Sequence, residues 1–139
     1  GKRMFMEGAV KGPAFSTGKD IFSYFYPKFQ NLKKEVFYCV ALDVKNRLIN
    51  EFRVSEGSLT SSNVHPREAF KNAIKESAAS VIFVHNHPSG DTNPSRDDIS
   101  ITEKLVSAGE TVGIKVLDHV IIGEGEYTSM LEKGYLTGR

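Results

Sequence analysis

The first clear hydrophobic pattern in the chain is a set of aromatic residues at helical spacing. Within residues 16–31, apolar side chains recur every three to four positions, which predicts an amphipathic helix. Ser16 or Thr17 is the expected N-cap, and Pro27 is expected to kink or split the helix. The predicted apolar stripe consists of Phe22, Phe25, Tyr26 and Phe29.

Two runs rich in β-branched and aromatic residues follow this helix, and each predicts a strand. Residues 35–44 and 47–55 are separated by the short turn Lys45-Asn46, so they are expected to pair as a hairpin. Residues 1–15 contain three glycines and a proline. They are expected to form an N-terminal arm before a domain at residues 16–139.

The second half of the chain alternates helix and strand patterns. Pro66 fits the first position of a helix over residues 65–78, and residues 80–84 (SVIFV) are typical of a buried central strand. A longer helix is predicted to run from the "SRDD" segment to about Gly113, followed by a strand at residues 114–123 and a short strand or turn region. This alternation favours an α/β fold in which helices cover a sheet. The predicted apolar stripe of the helix over residues 65–78 consists of Ala69, Phe70, Ala73, Ile74 and Ser77.

Composition restricts the function classes. The 139 residues fit one domain, and 18 Lys+Arg against 17 Asp+Glu leave a net charge of +1. A nucleic-acid-binding domain usually carries a larger positive charge. A local basic patch could still form from Lys28, Lys33 and Lys34. The single cysteine, Cys39, excludes an intrachain disulfide and fits a cytoplasmic protein. No apolar run reaches the about 18 residues of a membrane span.

The segment with the strongest chemical signal is His85-Asn86-His87 at the end of the buried strand. Residues i and i+2 of a strand point to the same face, so both imidazoles are expected to face one point. Two imidazoles make half of a zinc site, and a catalytic zinc ion takes a third protein ligand. The nearby candidates for that ligand are Asp91, Asp97 and Asp98.

A second interpretation explains the same residues without a metal. "PSRDD" is a good helix start, with Ser95 as the N-cap and Asp98 as the capping-box partner three residues later. Asp98 would then bind backbone N–H groups, and the histidine pair would belong to a polar loop. The residue pattern alone leaves both interpretations open.

The spacing from His85 to Asp98 resembles a known signature. His-Asn-His-Pro, six residues, Ser95, two residues and Asp98 match the motif of the JAMM (MPN/JAB) metalloproteases. The segments around the motif, including "GSLTSSNVHPREAF" and "LDHVIIG", resemble the RadC branch of that superfamily from about Phe15 to the C-terminus. The resemblance implies a cytidine-deaminase-like, three-layer α/β/α sandwich with a mixed sheet. It does not include the helix-hairpin-helix region of longer RadC proteins.

The resemblance also implies a set of site residues. The zinc ligands fall on His85, His87 and Asp98, and the serine that assists the oxyanion falls on Ser95. The general base of the family is a glutamate on an upstream strand, for which Glu35 is the better match and Glu56 the second choice. Two other histidines are expected to have structural roles, His65 as a helix cap or loop contact and His119 as a core or sheet-end residue. His119 is expected to share one strand face with Leu117 and Ile121.

The implied function is zinc-dependent hydrolysis of a peptide or isopeptide bond in a protein or peptide substrate. Two alternatives belong to other classes. One is a DNA-associated repair or anti-restriction accessory, which the historical name of the family implies. The other is a scaffold that binds a protein partner, which would not need three metal ligands, a serine and a glutamate.

Overall fold

The described part of the chain contains three helices and five strands. A computed structural model of the chain describes residues 12–136. The predicted N-terminal arm therefore lies mostly outside the described residues. In chain order, the elements are α1 (Gly18–Phe29), β1 (Val36–Leu42), β2 (Leu48–Glu56), α2 (Pro66–Lys75), β3 (Ser80–Asn86), α3 (Arg96–Val112), β4 (Lys115–Ile122) and β5 (Tyr127–Ser129).

The five strands form one mixed sheet in the order β2-β1-β3-β4-β5. β3 and β4 are parallel, and the other neighbouring strands are antiparallel. The predicted hairpin is confirmed as β1 and β2, and Asp43 Oδ1 accepts hydrogen bonds from the backbone N–H groups of Lys45 and Arg47 in its turn. Every residue of β3 is buried, as predicted for a central strand.

The side chains of β3 alternate between two cores. Val81 and Phe83 pack in a cluster that contains residues of α2 and α3, whereas Ile82 and Val84 pack in a cluster that contains residues of α1. The helices therefore cover both faces of the sheet, which confirms the predicted α/β/α sandwich. His85 continues the first set and lies on the face covered by α2 and α3.

The helix boundaries follow largely from the predicted caps. Thr17 caps α1 in a capping box, and α3 ends at Gly113, whose φ of 78° is the left-handed conformation that glycine adopts readily. Of the two predicted effects of Pro27, a kink or a split, the split was wrong, because α1 continues through Pro27 to Phe29. Pro27 lies in the last turn of α1, where its missing N–H removes one helical hydrogen bond without ending the helix.

The predicted apolar stripe of α2 was partly wrong. Pro66 begins the helix, and Ala69, Phe70 and Ala73 are buried. Ile74, however, is 53% exposed. The reason is its place next to the last helical residue, one position beyond the final buried turn. Ser77 lies after the helix with a φ of 58°.

A β-bulge in β4 determines which of its side chains face α3. Val81 pairs with Val116, but the next residue, Ile82, pairs with Asp118, so Leu117 is an extra residue. Leu117 consequently packs on the α1 side, together with Val120 and Ile122. The expectation that Leu117 shares a face with His119 was wrong, and the bulge is what turns His119 toward α3.

Among the described residues, no helix combines the length and the apolar character that crossing a membrane requires.

Candidate metal centre

Three side chains converge where β3 ends and α3 begins. His85 Nε2 lies 3.2 Å from Asp98 Oδ1, and His87 Nε2 lies 3.1 Å from Asp98 Oδ2. One ligand atom from each of the three residues can be chosen so that all lie within 4.8 Å of one another. These spacings are close to the about 3.3 Å that separates two ligands of a tetrahedral zinc ion with bonds of about 2.0–2.1 Å. The cluster could therefore hold a metal ion.

The sheet brings the two imidazoles together. His85 is on β3, and His87 follows its last residue, but the backbone N–H of His87 still donates to the Ile122 carbonyl at 2.9 Å. The strand geometry therefore persists through His87, and both side chains lie on one face. The side chain of His85 is fully buried, whereas that of His87 is 15% exposed. The cluster is thus open to solvent on the His87 side.

Asp98 belongs both to the helix cap and to the histidine cluster. Its Oδ2 accepts a hydrogen bond from Ser95 N at 2.8 Å, and its own backbone N–H donates to Ser95 Oγ at 3.0 Å, which completes a capping box. The same Oδ2 faces His87, and Oδ1 faces His85. The two interpretations of the sequence therefore do not exclude each other, because the cap orients the carboxylate toward the imidazoles.

The other two candidate carboxylates point elsewhere. Asp91 Oδ1 accepts a hydrogen bond from Asn93 N at 3.0 Å, and Asp97 Oδ1 lies 3.4 Å from Ser61 N. Neither belongs to the described cluster. Asp91 nevertheless contributes through its backbone carbonyl, which lies 2.7 Å from His87 Nδ1. Since a carbonyl only accepts, His87 Nδ1 carries a proton, and His87 Nε2 lies within hydrogen-bond distance of Asp98 Oδ2, at 3.1 Å.

An unpaired nitrogen tests whether the cluster fits a cation. His85 Nε2 is buried and has no hydrogen-bond partner among the described residues. Its 3.2 Å contact with Asp98 Oδ1 is short enough for charge attraction but is not directed as a hydrogen bond. A buried polar nitrogen beside a carboxylate oxygen is costly unless a proton or a metal ion lies between them. The donor set of two nitrogens and one oxygen fits zinc.

The charges of the cluster influence one another. Burial raises the pKa of Asp98, but the contacts with His85 and His87, together with the hydrogen bond from the Ser95 backbone N–H, outweigh it and hold the pKa well below its usual value. Burial lowers the pKa of His87, but the contacts with Asp98 and with the Asp91 carbonyl, together with the charge of Glu35, raise it overall. Asp98 is therefore ionised, and the contacts of His87 favour its protonated form.

Glu35 and Glu56 both line a cleft beside the cluster. This cleft, here called the Pro88 cleft, has a volume of about 490 Å³. Glu56 forms ion pairs with Arg53 at 2.9 Å and with Lys34 at 3.8 Å. Glu35 is half-buried just before β1, accepts a hydrogen bond from Leu59 N at 3.2 Å, and is close enough to raise the pKa of His87. The Pro88 cleft is lined by Lys33, Lys34, Glu35, Glu56, Gly57, Ser58 and Pro88.

A second cleft adjoins the first at Lys33 and Pro88. It has a volume of about 470 Å³ and contains His87, so the exposed side of the cluster opens into it. Volumes of this order are typical of ligand sites. The other main lining residues of the second cleft are Tyr26, Phe29, Gln30, Asn31, Leu32, Asn86, Gly90, Ile122, Gly123 and Glu124.

Sequence reasoning missed the role of Asn86. Its side chain is buried, with Oδ1 accepting from Val36 N at 2.7 Å and Nδ2 donating to the Lys34 carbonyl at 3.1 Å. These two bonds bracket Glu35 and hold its backbone against the end of β3. The signal in the sequence was an asparagine on the buried face of a strand, where such a residue needs partners.

We expect Asn86→Ala to lower the free energy of unfolding by about 1–3 kcal/mol, because the buried N–H of Val36 loses its acceptor. Urea denaturation of the metal-free protein measures this change. The matched control is Asn50→Ala on the exposed part of β2, for which we expect a change within about 0.5 kcal/mol. Equal stability of the two variants would contradict a stabilising role for the Asn86 hydrogen bonds.

Ser95 can serve the helix cap and still donate a hydrogen bond. It is exposed, and its Oγ accepts from Asp98 N. A hydroxyl that accepts retains its own hydrogen as a donor. Ser95 thus stands at the cluster with an O–H available for a third group.

The two remaining histidines have different positions. His65 is exposed at the N-cap position of α2, as expected, but its side chain makes no cap hydrogen bond. His119 is buried and contacts His85, with its Nε2 2.8 Å from His85 Nδ1. Burial lowers the pKa of His119 well below the usual histidine value, and the neighbouring His85 lowers it further. His119 is therefore neutral.

Known proteins resemble the chain over nearly all of its length. UPF0758 proteins of Methanosarcina mazei and Pelobacter propionicus are each 54% identical to it, over 121 and 122 residues, which are 87% and 88% of this chain and 53% of each relative. A UPF0758 protein of Methanosarcina barkeri is 55% identical over 118 residues, 85% of this chain and 52% of that relative. The chain thus spans about half the length of these relatives. The family model of the RadC-like JAB domain matches residues 15–135. The chain therefore belongs to the RadC-like JAB domain family.

Proposed function

We propose that this domain is a zinc-dependent hydrolase of amide bonds, acting on a peptide or an isopeptide linkage. One observation carries the proposal: the Nε2 atoms of His85 and His87 both face the carboxylate of Asp98, with a glutamate in the adjoining cleft. A metal site with three protein ligands and an open, solvent-facing side is typical of catalytic rather than structural zinc. A bound zinc ion would supply Lewis-acid chemistry, polarising the substrate carbonyl and activating water.

Glu35 is the residue that we assign as general base. In this role its carboxylate takes a proton from the attacking water and delivers it to the nitrogen of the leaving amine, so that the C–N bond breaks as the new C–O bond is kept. Its half-buried position beside the charge of His87 supports the assignment. Glu56 is a weaker candidate because Arg53 and Lys34 already neutralise it.

Ser95 is the residue that we assign to the oxyanion. As the substrate carbonyl becomes tetrahedral, its oxygen gains negative charge, and a positioned O–H stabilises that charge by about 3 kcal/mol. The exposed Ser95 hydroxyl beside Asp98 is available for this contact. The N-terminal end of α3 adds a favourable field for negative charge at the same place.

The test of this function is hydrolysis by the zinc-loaded domain. We expect cleavage in a mixture of peptides that contains both ordinary peptide bonds and isopeptide bonds to the lysine side chain, read by mass spectrometry. Asp98→Asn is the inactive control, since its amide retains a similar shape but lacks the charge of the third ligand. The same cleavage in both proteins would assign the hydrolysis to a contaminant and refute the proposal.

The DNA-associated alternative makes a different prediction. Binding to DNA would give an affinity that falls steeply with salt, because phosphate contacts release counterions. Two of the three lysines of the expected basic patch are paired with acids, Lys28 with Glu51 at 3.7 Å and Lys34 with Glu56 at 3.8 Å. These pairs reduce the local positive charge, which favours the hydrolase over this alternative.

The affinity for zinc is expected to fall with decreasing pH. The pKa of His87 is raised by Asp98, the Asp91 carbonyl and Glu35, so below that pKa a proton occupies the nitrogen that zinc needs. Each displaced proton costs about tenfold in affinity per pH unit below the pKa, and the dependence disappears above it. Competition titrations with a chelator across pH measure the slope. An affinity that is constant from mildly acidic to alkaline pH would contradict histidine ligation.

A further inference from the structure

A chain of hydrogen-bonded, buried side chains extends from the candidate metal site into the core. His85 Nδ1 lies 2.8 Å from His119 Nε2, and His119 Nδ1 lies 2.7 Å from Thr102 Oγ1. Thr102 Oγ1 in turn donates to the backbone carbonyl of Asp98 at 2.7 Å. All four residues are at most 2% exposed. The chain therefore begins at one candidate ligand and returns to the backbone of another.

The order of these bonds fixes where each proton lies. Thr102 has one hydroxyl hydrogen and gives it to the Asp98 carbonyl, so it accepts from His119 Nδ1. A neutral His119 protonated on Nδ1 has a lone pair on Nε2, and this lone pair accepts from His85 Nδ1. His85 Nε2 is then left without a proton, and it is the atom that faces Asp98.

We propose that His119 and Thr102 are positioning residues that hold His85 in the tautomer whose Nε2 can bind a metal ion. The inference rests on the metal site of the proposed function. Its physical content is that the neutral imidazole of histidine in water prefers its proton on Nε2, which would block the ligand atom. The hydrogen bond to the second ring nitrogen reverses this preference, and such supporting contacts also orient the ring.

His87 provides an internal comparison. Its Nδ1 donates to the backbone carbonyl of Asp91, so its tautomer depends on the loop after β3 and not on His119 or Thr102. A change at Thr102 should therefore alter the ring of His85 and leave the ring of His87 as it was. A purely structural role of Thr102 in the core would not distinguish the two histidines.

The test compares Thr102→Val with Thr102→Ser. Valine has nearly the same shape but neither accepts from His119 nor donates, whereas serine keeps the hydroxyl. Ring ¹⁵N NMR of the metal-free protein, at alkaline pH where histidine is neutral, reads the tautomers. We expect the valine variant to transfer the proton of His85 to Nε2, with His87 unchanged, and to lose about 10- to 100-fold in zinc affinity measured by chelator competition. The serine variant should resemble wild type in both measurements. A valine variant that keeps the wild-type tautomer of His85, or the wild-type affinity, would overturn the inference.

A second pair of variants keeps the test decisive if the valine variant does not fold. His119→Gln has an amide oxygen that can accept from His85 Nδ1, and we expect it to keep the tautomer and most of the zinc affinity. His119→Leu should lose the Nδ1-protonated tautomer of His85 and most of the zinc affinity. A leucine variant with wild-type zinc affinity would refute the positioning role of His119. These experiments measure the ring tautomer and the zinc affinity, and neither depends on catalysis. If wild-type protein binds zinc and the variants behave as expected, but no amide bond is cleaved, the proposed hydrolase function is refuted and the positioning role of His119 and Thr102 is not.

Discussion

His87→Ala is expected to abolish stoichiometric zinc binding by the domain while leaving the fold intact. The substitution removes one of the three proposed ligands, so the loss should exceed the about 10- to 100-fold that removal of a supporting partner costs. The fold should survive because the side chain of His87 is partly exposed, and the hydrogen bond from its backbone to Ile122 does not depend on the imidazole. Metal analysis of protein purified without chelators and a zinc titration measure the effect.

His65→Ala is the matched control for this experiment. His65 is an exposed histidine without a side-chain cap bond, so its removal should leave zinc content at one ion per chain. Thermal unfolding of both metal-free variants verifies that each is folded. Undiminished zinc binding by folded His87→Ala would show that this imidazole is not a ligand and would contradict the proposed centre.

Glu35→Gln is expected to keep zinc and the fold but to reduce turnover by about 10²- to 10⁴-fold, the usual contribution of a general base. The amide has nearly the shape of the carboxylate, and its oxygen can still accept the hydrogen bond from Leu59 N. It cannot accept the proton of the attacking water. The loss should fall on the rate constant kcat at unchanged zinc affinity, measured by hydrolysis of the best substrate found for the domain.

Glu56→Gln separates Glu35 from the other carboxylate of the Pro88 cleft. Because Glu56 is engaged with Arg53 and Lys34 on an exposed edge, its amide variant should retain nearly wild-type turnover. If Glu56→Gln is the inactive variant and Glu35→Gln is active, the assignment of the base is wrong.

The elements of the fold were predictable because local signals agreed with burial. The β3 run at residues 80–84, the cap at Ser95 and the left-handed Gly113 each specify structure through their own chemistry. A split was expected at Pro27 because proline has no N–H, but one missing hydrogen bond near the end of α1 does not stop the helix. Ile74 was wrongly predicted to be buried. The apolar periodicity of the sequence continues to Ile74, but the last buried residue of α2 is Ala73.

The candidate cluster was predictable for a different reason. Two histidines at strand spacing and an aspartate at a helix start converge whenever that helix packs over the end of that strand. The choice of Asp98 over Asp91 and Asp97 required the family motif, because spacing alone left all three open. The structure adds that capping and facing the histidines are compatible roles of one carboxylate.

The supporting contacts could not be predicted from the sequence. His119 reaches His85 only because the bulge at Leu117 changes which side chains of β4 face α3, and a bulge depends on the pairing of two strands. Asn86 binds backbone groups about 50 residues away in sequence. Such contacts depend on tertiary packing, which hydrophobic periodicity does not encode.

The most direct measurement of the central claim is the anomalous diffraction of crystals grown with one equivalent of zinc. We predict one peak bonded to the Nε2 atoms of His85 and His87 and to a carboxylate oxygen of Asp98, with distances of about 2.0–2.2 Å. A peak at any other place, or zinc-containing crystals in which Asp98 bonds only to the backbone of Ser95, would contradict the account.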